Sequence, residues 1–516
     1  MTRRRTPVLA VAIALFAAVA GEASGQEAVL FAGPGRAGAA APAEAAPVIA
    51  GEPMRAGFAV PAGVAAAPPA AFRLFFQAPA PGAEPAECTD AARRLVAAGA
   101  ARIPGTRELG GLVLAAFGAD ATVALVDPAL RLGPAGLAGV ARLPGPATAF
   151  ALDPVGLRLF VAVAEPPALA LVDLAARRAG PVLALPSPAV DLAWEPGLER
   201  LLLLDAEGTL AALEPETLAP LRRTALAATG GALAPLPAER LLAVLGGGEG
   251  EGRRLLLLDP DSFVVQAEVA LPASFGRGAD GGSARLAGTD RSALFFAAAG
   301  RTALAHDAAG RGRTLARFDL PAPVRALRRL DEARAVAVLA DGGAVALDAA
   351  SGQAWPVASP AAGAAEAAVS AGGALYLRPE ASPRLTVLAL GALRPGRPPA
   401  PAFAEAGTAS FGPAALPLLA PLGGTLLAAN PGDRRIFQHH AAPGVAAPAA
   451  VFTAGGSPLT GLAAAARAPS RTAAGRVELT TEAPGPGRWR LVAFLPEQSR
   501  AACTEFEVAR GGGGAG

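Results

Sequence analysis

The sequence predicts an all-β protein built around a β-propeller, because it contains a repeated unit with a regular period and regular turn signals. The unit is clearest over residues 147–186, where four short apolar runs are separated by turn signals such as DPVG at 153–156. Runs this short, interrupted this regularly, are typical of strands rather than helices. Four strands are the content of one propeller blade.

An acidic residue ends the third run of the first six units and sets the period of the repeat. Successive acids are 41 to 48 residues apart. They are Asp127, Asp173, Glu214, Asp259, Asp307 and Asp348. This period, with four strands per unit, indicates propeller blades. We interpret the acids as turn-capping residues rather than paired catalytic carboxylates, since each belongs to a different blade.

Eight units fit between residues 110 and 464, and a seven-bladed ring is the alternative because the last two units are weak. The positions in these units that correspond to Asp348 are Gly391 and Phe437. The first unit lacks a first strand, and residues 457–464 (SPLTGLAA) follow the last unit. Because a propeller must close its ring, we expect this late segment to supply the missing strand.

The segments that flank the repeats predict a small β module. On the N-terminal side, residues 54–60 and 72–77 are strand candidates, and residues 89–100 are a helix candidate with Thr89 at its cap. On the C-terminal side, apolar residues alternate before and after the turn PGPG at 484–487. The expected organisation is a signal peptide at 1–25, an Ala/Pro-rich leader with a small β element and a short helix at 26–109, the propeller at 110–464, a β-sandwich-like module at 465–510 and a Gly-rich tail at 511–516.

The N-terminal residues predict export. Three arginines at positions 3–5 precede a short apolar run and small residues suited to cleavage, which is the pattern of a secretory signal peptide. The run is shorter than the roughly 20 residues of a spanning helix, which argues against the alternative of a membrane anchor. Cleavage after Gly25 would leave the chain with no net charge, so no overall field attracts nucleic acid or anionic membrane. The composition, rich in Ala, Arg, Gly and Pro, is typical of a GC-rich bacterial genome, and we expect a periplasmic or secreted bacterial protein with no membrane span after cleavage.

The two cysteines of the chain, Cys88 and Cys503, are predicted to form a disulfide bond. An exported protein meets an oxidising compartment, and the cysteine count is even. Because closing the ring brings the segments on either side of it together, the bond would join the N-terminal element to the C-terminal module. The alternative is two separate buried thiols.

Several of these segments resemble known repeat proteins. The strands that end in VDP or LLDP resemble the YVTN-type propeller repeat family, which is similar to the propeller of cytochrome d1-containing nitrite reductase. The segments that resemble bacterial cytochrome d1-like propeller proteins are residues 109–144 at the opening and residues 426–437, 475–496 and 502–508 at the close. The resemblance covers roughly residues 50–510 and implies a WD40/YVTN-like propeller fold.

Candidates for metal or acid–base chemistry are few. The histidines are His306, His439 and His440, and no C-x-x-C-H motif for haem attachment is present. Adjacent strand residues point to opposite faces, so His439 and His440 are expected to be satisfied or solvent-facing rather than to share a metal. Asp307 beside His306 is expected to cap a turn. Two G-x-G-x-x-G matches, at 33–38 and 276–281, lack the strand–turn–helix context of a dinucleotide site.

We therefore predict no catalytic residues, no bound metal and no cofactor. The predicted function is a non-enzymatic exported scaffold that binds a protein or small ligand on one face of the propeller. The alternative is the propeller subunit of a periplasmic oxidoreductase, similar to amine dehydrogenase heavy chains, with its cofactor carried elsewhere. A hydrolase or lyase on the propeller face is a third possibility, because a propeller hosts many functions.

Overall fold

The computed structural model of this protein describes most of the chain between residues 29 and 510. The described residues are 29–35, 47–59, 72–78, 87–98, 105–128, 137–226, 231–247, 253–272, 275, 284–288, 292–397, 399–440, 446–471, 476–495 and 500–510. The predicted signal peptide and the Gly-rich tail lie outside these residues. The chain divides into two compact units, Gly111–Ala466 and the pair of chain ends, Met1–Gly110 with Arg467–Gly516.

The unit Gly111–Ala466 contains, in its described residues, eight four-stranded antiparallel sheets that we number as blades 1 to 8. Strands are given from first to fourth. Blade 1 is Leu459–Arg467, Gly111–Gly118, Thr122–Val126 and Leu137–Arg142; blade 2 is Ala147–Asp153, Arg158–Val163, Ala168–Asp173 and Arg178–Ala184; blade 3 is Ala189–Glu195, Arg200–Asp205, Thr209–Leu213 and Pro220–Ala225; blade 4 is Ala232–Leu236, Leu241–Gly246, Arg254–Leu258 and Val265–Val269.

The remaining four blades have the same order of strands. Blade 5 is Arg285–Ala287, Leu294–Ala299, Thr302–Asp307 and Arg313–Asp319; blade 6 is Val324–Arg329, Arg334–Leu339, Ala344–Asp348 and Gln353–Ala358; blade 7 is Ala364–Ser370, Ala374–Pro379, Arg384–Ala389 and Ala402–Glu405; blade 8 is Leu419–Leu422, Thr425–Asn430, Arg435–His440 and Ala450–Thr453. Short 3-10 helices occupy Pro237–Glu239, Pro360–Ala362 and Leu390–Ala392.

Ring closure follows the prediction. The strand Leu459–Arg467 pairs with Gly111–Gly118 and takes the first position of blade 1, which the N-terminal part of the repeats leaves empty. The backbone N–H of Ala119 donates to the carbonyl of Pro458 at 2.9 Å, and that of Leu462 donates to Pro417 at 2.8 Å. Eight blades are therefore confirmed over the alternative of seven.

The core of the ring lies between neighbouring blades. In blade 2 the second and third strands are buried along their whole length, whereas the fourth strand is mostly exposed. Buried clusters join adjacent blades, for example Phe117 of blade 1 with Val161 of blade 2, and Phe160 of blade 2 with Leu203 of blade 3. Strands that are covered on both faces read as continuous apolar runs, which explains the runs seen in the sequence.

The repeated acids mostly hold turns, as predicted. The carboxylate of Asp173 accepts the N–H of Ala176 at 2.8 Å, and that of Asp259 accepts the N–H of Ser262 at 2.7 Å. Glu214 and Asp348 cap their turns in the same way. For Asp127 and Asp307 the described side-chain contacts are instead with arginines, Arg177 at 3.4 Å and Arg313 at 3.5 Å.

The unit formed by the chain ends has two sheets and one helix in its described residues, and it confirms the expected flanking β module. One sheet has the order Val29–Pro34, Pro53–Ala59, Arg476–Glu482 and Ser470–Arg471; the other has Val48–Ile49, Arg500–Ala509, Gly487–Leu495, Arg73–Gln77 and Thr106–Glu108. A buried core containing Phe58, Phe76 and Leu479 draws on both sheets. None of the described helices has the length and hydropathy that crossing a bilayer requires.

The helix Cys88–Ala98 packs Leu95 against Phe75 of the second sheet. It begins one residue before the predicted start, so Thr89 lies in its first turn and is not the cap. Its first residue, Cys88, is joined to Cys503 by a disulfide bond with a Cα–Cα distance of 5.9 Å. The predicted bond between the N-terminal and C-terminal segments is therefore present.

Candidate functional site

The first strands of the blades surround the centre of the ring. The first strands of neighbouring blades contact each other in every pair from blades 2 and 3 to blades 7 and 8. At the ends of these strands in blades 2 to 6 lies an open cavity of about 610 Å³. A concave site of this size is typical of small-molecule binding sites.

One side of the cavity is apolar and rigid. Trp194 of blade 3 and Leu152 of blade 2 line it. The indole of Trp194 stacks on Phe160, with ring centroids 5.8 Å apart and planes inclined by 14°. The guanidinium of Arg158 lies 5.3 Å from the indole centroid and is itself held by Asp153 at 2.7 Å. Phe160 and Arg158 thus hold the indole in place, and the exposed part of Trp194 forms a preformed wall of the cavity.

The rim of the cavity is stiffened by proline. The turns that follow the first strands of blades 2, 3 and 4 contain Pro154, Pro196 and Pro237, and all three line the cavity. Proline fixes φ near −65°, so these turns lose little further freedom when a ligand binds. The turn at Pro154 is also held by Asp153, whose carboxylate accepts the N–H groups of Val155 and Gly156 at 3.1 and 2.9 Å.

Two arginines at the end of the first strand of blade 6 make the other side of the cavity cationic. Arg328 is exposed, and its Nη1 donates to the carbonyl of Leu327 at 3.1 Å. The guanidinium of Arg329 lies 5.1 Å from the ring centroid of Phe296, and burial lowers its pKa to about 10. Arg329 therefore remains charged at neutral pH.

Asp191 adds a carboxylate beside the cavity, one residue before the lining residue Leu192. Its Oδ2 accepts the N–H of Leu233 in blade 4 at 2.8 Å, and its Oδ1 accepts the N–H of Leu192 at 2.9 Å. Burial raises the pKa of Asp191 to about 6, while the positive charges of Arg285 and Arg328 oppose that rise. Asp191 therefore links blade 3 to blade 4 through a hydrogen bond, and its carboxyl gains or loses its proton near pH 6.

The histidines do not converge with these groups. His439 is buried, and neither ring nitrogen has a hydrogen-bond partner among the described residues. His440 is exposed, so the two rings face opposite sides of the strand as predicted, but the expectation that His439 would be satisfied is wrong. The Nδ1 of His306 lies 3.1 Å from the carbonyl of Gly312, and its ring stacks on Phe295. Burial lowers the pKa of both His306 and His439 to about 4.

In the part of the chain that the structure describes, no three His, Cys, Asp or Glu side chains are grouped closely enough to hold a metal ion. Of the two G-x-G-x-x-G matches, residues 36–38 of the first and all of the second, 276–281, lie outside the described residues.

Sequence motifs do not mark the residues that form the cavity. Trp194, Arg328 and Arg329 belong to no motif, and neither does Asp191. The signal that could have found them is a charged or aromatic residue in the first strand of a blade, since those strands face the centre of the ring. The segment VRALRRL at 324–330 is the clearest example.

No protein-family model and no curated protein sequence matches the chain. Among solved structures, apo AztD from Citrobacter koseri is similar with a TM-score of 0.50 and 12% identity, covering 69% of this chain and 98% of that one. BamB from Moraxella catarrhalis has a TM-score of 0.42 and 16% identity over 63% and 88% of the two chains. The C-terminal WD40 domain of Sif2 has a TM-score of 0.47 and 13% identity over 64% and 90%. At 12% identity the likeness to AztD concerns fold alone, and together with the eight sheets it leads to one conclusion: the chain is a β-propeller protein.

Proposed function

We propose that this chain is a non-enzymatic exported scaffold that binds a ligand or partner in the cavity at the ends of the first strands of blades 2 to 6. The observation that carries the proposal is the convergence of five blades on one open cavity of about 610 Å³. Its lining consists of apolar side chains, prolines and two arginines. Side chains of these kinds bind and orient a ligand through burial and charge, and they are poor proton acceptors at neutral pH.

The proposed compartment is the periplasm or the exterior of the cell. The Cys88–Cys503 disulfide fits an exported protein, since such bonds persist in oxidising compartments. The signal-peptide pattern of residues 1–25 supports the same compartment.

We also propose that the repeats are of the YVTN type, close to cytochrome d1-like propellers. The support is the third strand of several blades, which runs into VDP at 126–128 or LLDP at 257–260 and ends in a turn held by the aspartate or a neighbouring group. This lineage concerns the scaffold and carries no cofactor with it.

The proposal is tested by obstructing the cavity. Val155 lies on the rim and is 38% exposed, and Val182, on the fourth strand of blade 2, is 54% exposed. Val155→Trp places a large side chain at the opening, whereas Val182→Trp makes the same change on the outer edge of a blade. A library of soluble metabolites is screened by thermal shift against the wild-type protein and both variants. We expect ligands that raise the melting temperature of the wild type and of Val182→Trp but not of Val155→Trp.

Two results would overturn the proposal. Ligands that stabilise Val155→Trp as well as the wild type would place binding elsewhere. Turnover of a substrate by the purified chain would make it an enzyme. A redox subunit that co-purifies in equal amount would favour the alternative of an oxidoreductase propeller subunit.

A further inference from the structure

The cavity is divided into an apolar side and a cationic side. Leu152 comes from blade 2 and Trp194 from blade 3, whereas Arg328 and Arg329 come from blade 6, four and three blades further round the ring. A ligand that spans the cavity therefore meets apolar surface at one end and positive charge at the other.

Arg329 has hydrogen-bonding capacity that the described protein does not use. Its Nη2 donates to the carbonyl of Glu332 at 2.6 Å, but its Nε and Nη1 are buried and have no partner among the described residues. These donors are enclosed by the protein, so Arg329 contributes positive charge beside the cavity rather than a direct contact with a ligand. The aromatic ring of Phe296 beneath the guanidinium keeps it oriented.

Arg328 is the more accessible of the two groups. It is exposed, and its guanidinium is a planar fork that matches a carboxylate in a bidentate way. Asp191 is close enough for their charges to influence each other, but both oxygens of that carboxylate already accept backbone N–H groups. Asp191 thus offsets part of the positive charge and leaves the opening cationic.

The apolar side suits the body of a small amphipathic molecule. Trp194 and Leu152 are only half buried, so they have surface to cover. Each methylene group that a ligand buries there strengthens binding roughly fourfold. The prolines of the rim hold this surface in place before the ligand arrives.

We infer that the cavity takes a small amphipathic organic acid, whose carboxylate is held by Arg328 and whose apolar body lies on Trp194 and Leu152. The inference rests on the proposed function and names its ligand class. Charge complementarity on one side and uncovered apolar surface on the other select an acid over a neutral or cationic molecule of the same shape.

The test compares three probes that share one chain length: octanoate, octan-1-ol and octylammonium. Each is titrated into the full-length protein by calorimetry, with intrinsic tryptophan fluorescence as a second readout. We expect octanoate to bind at least tenfold more tightly than octan-1-ol, and octylammonium not to bind. Arg328→Gln should weaken the binding of octanoate at least tenfold and leave the binding of octan-1-ol unchanged. The matched control is Arg317→Gln, on the fourth strand of blade 5, where the side chain pairs with Asp319; it should change neither.

A second variant, for which we expect tighter rather than weaker binding of octanoate, strengthens the test. Asp191→Asn keeps an oxygen for the N–H of Leu233 and removes the negative charge near Arg328, so it should tighten octanoate without affecting octan-1-ol. Circular dichroism establishes that each variant is folded.

The outcomes separate the inference from the proposed function. Equal binding of octanoate and octan-1-ol, with no effect of Arg328→Gln, would overturn the inference. If Val155→Trp still abolished the binding of both octanoate and octan-1-ol, the cavity would remain a binding site. Absence of octanoate binding would also overturn the inference, while other ligands sensitive to Val155→Trp would preserve the proposed function. Octanoate binding that Val155→Trp leaves unchanged would contradict both.

Discussion

At the scale of single residues, the buried side chain of His439 lowers the stability of the folded propeller. An ordinary histidine takes up its proton near pH 6.5 in the unfolded chain, whereas burial keeps His439 neutral down to about pH 4 in the folded chain. Between these values the unfolded state binds the extra proton, so the contribution of His439 makes the protein less stable as the pH falls. Its two ring nitrogens have no hydrogen-bond partner among the described residues, which adds a further penalty at every pH.

We therefore expect His439→Leu to stabilise the protein by about 1–3 kcal/mol at pH 8, and by more at pH 5. Thermal unfolding of the variant and the wild type at both pH values measures the difference. His440→Gln is the control, since His440 is the exposed neighbour on the same strand. A gain from His439→Leu that is the same at both pH values would show that protonation of His439 plays no part.

Asp191 has the opposite dependence on pH. Burial raises its pKa to about 6, above the ordinary value of about 3.9, so the folded state holds the proton more tightly than the unfolded state. The carboxylate is therefore most costly above pH 6, and its penalty disappears as the pH falls through the range from 6 to 4.

Asp191→Asn removes this titration while keeping an acceptor for the N–H of Leu233. We expect the variant to gain about 1–3 kcal/mol relative to the wild type at pH 8 and about a third of that at pH 4.5, where the unfolded carboxyl is still mostly ionised. Chemical denaturation at the two pH values tests this. A variant that is equally destabilised at both would mean that the hydrogen bonds of Asp191, rather than its charge, govern its effect.

At the scale of elements, the strand Leu459–Arg467 is the one on which the ring depends. It is the first strand of blade 1, and it packs Leu459 and Leu462 into a buried cluster that includes Leu418 of the segment leading into blade 8. Gly461 of this strand is closely packed, since a Cβ at this position would stand 2.6 Å from the Cβ of Leu416. Any larger residue must push the closing strand away from its neighbours.

Gly461→Val is therefore expected to destabilise the protein by about 1–3 kcal/mol or more, through overpacking at the closure. Gly456→Val is the matched control, because Gly456 is exposed and a Cβ there meets no atom within 4 Å. Melting temperatures of the two variants are compared with that of the wild type. Equal melting temperatures for all three proteins would show that the closing strand tolerates displacement.

At the scale of the whole molecule, one covalent bond links positions 415 residues apart. The disulfide joins Cys88 in the helix to Cys503 in the last strand, so the unfolded chain is closed into a very long loop. Such a constraint lowers the entropy of the unfolded state, and bonds of this kind stabilise proteins by about 2–4 kcal/mol.

We expect the protein, when produced in the periplasm, to resist alkylation until it is reduced, with intact mass as the measurement. The double variant Cys88→Ser/Cys503→Ser should lose about 2–4 kcal/mol of stability relative to the wild type in non-reducing buffer. In reducing buffer the two proteins should unfold alike. Two alkylated cysteines in unreduced protein would contradict the assignment.

Local sequence signals were enough to predict the scaffold. The turn at DPVG, the acids such as Asp173 that end third strands, and the continuous apolar runs each act over a few residues, so they indicate strands and their repeat without knowledge of the fold. Ring closure by the segment near Leu459 and the pairing of Cys88 with Cys503 followed from one further constraint, that the ends of a ring must meet.

The cavity was decided by the tertiary structure. Trp194, Arg328 and Arg329 lie on first strands of different blades, and nothing local marks them as neighbours. First strands mix polar and apolar residues because they border the open centre, so their signal in the sequence is weak. Likewise the raised pKa of Asp191 and the lowered pKa of His439 come from burial by distant blades. The sequence by itself thus determined the repeated scaffold, through short-range turn and strand preferences, whereas the chemistry at its centre arises only when the closed ring brings remote side chains together.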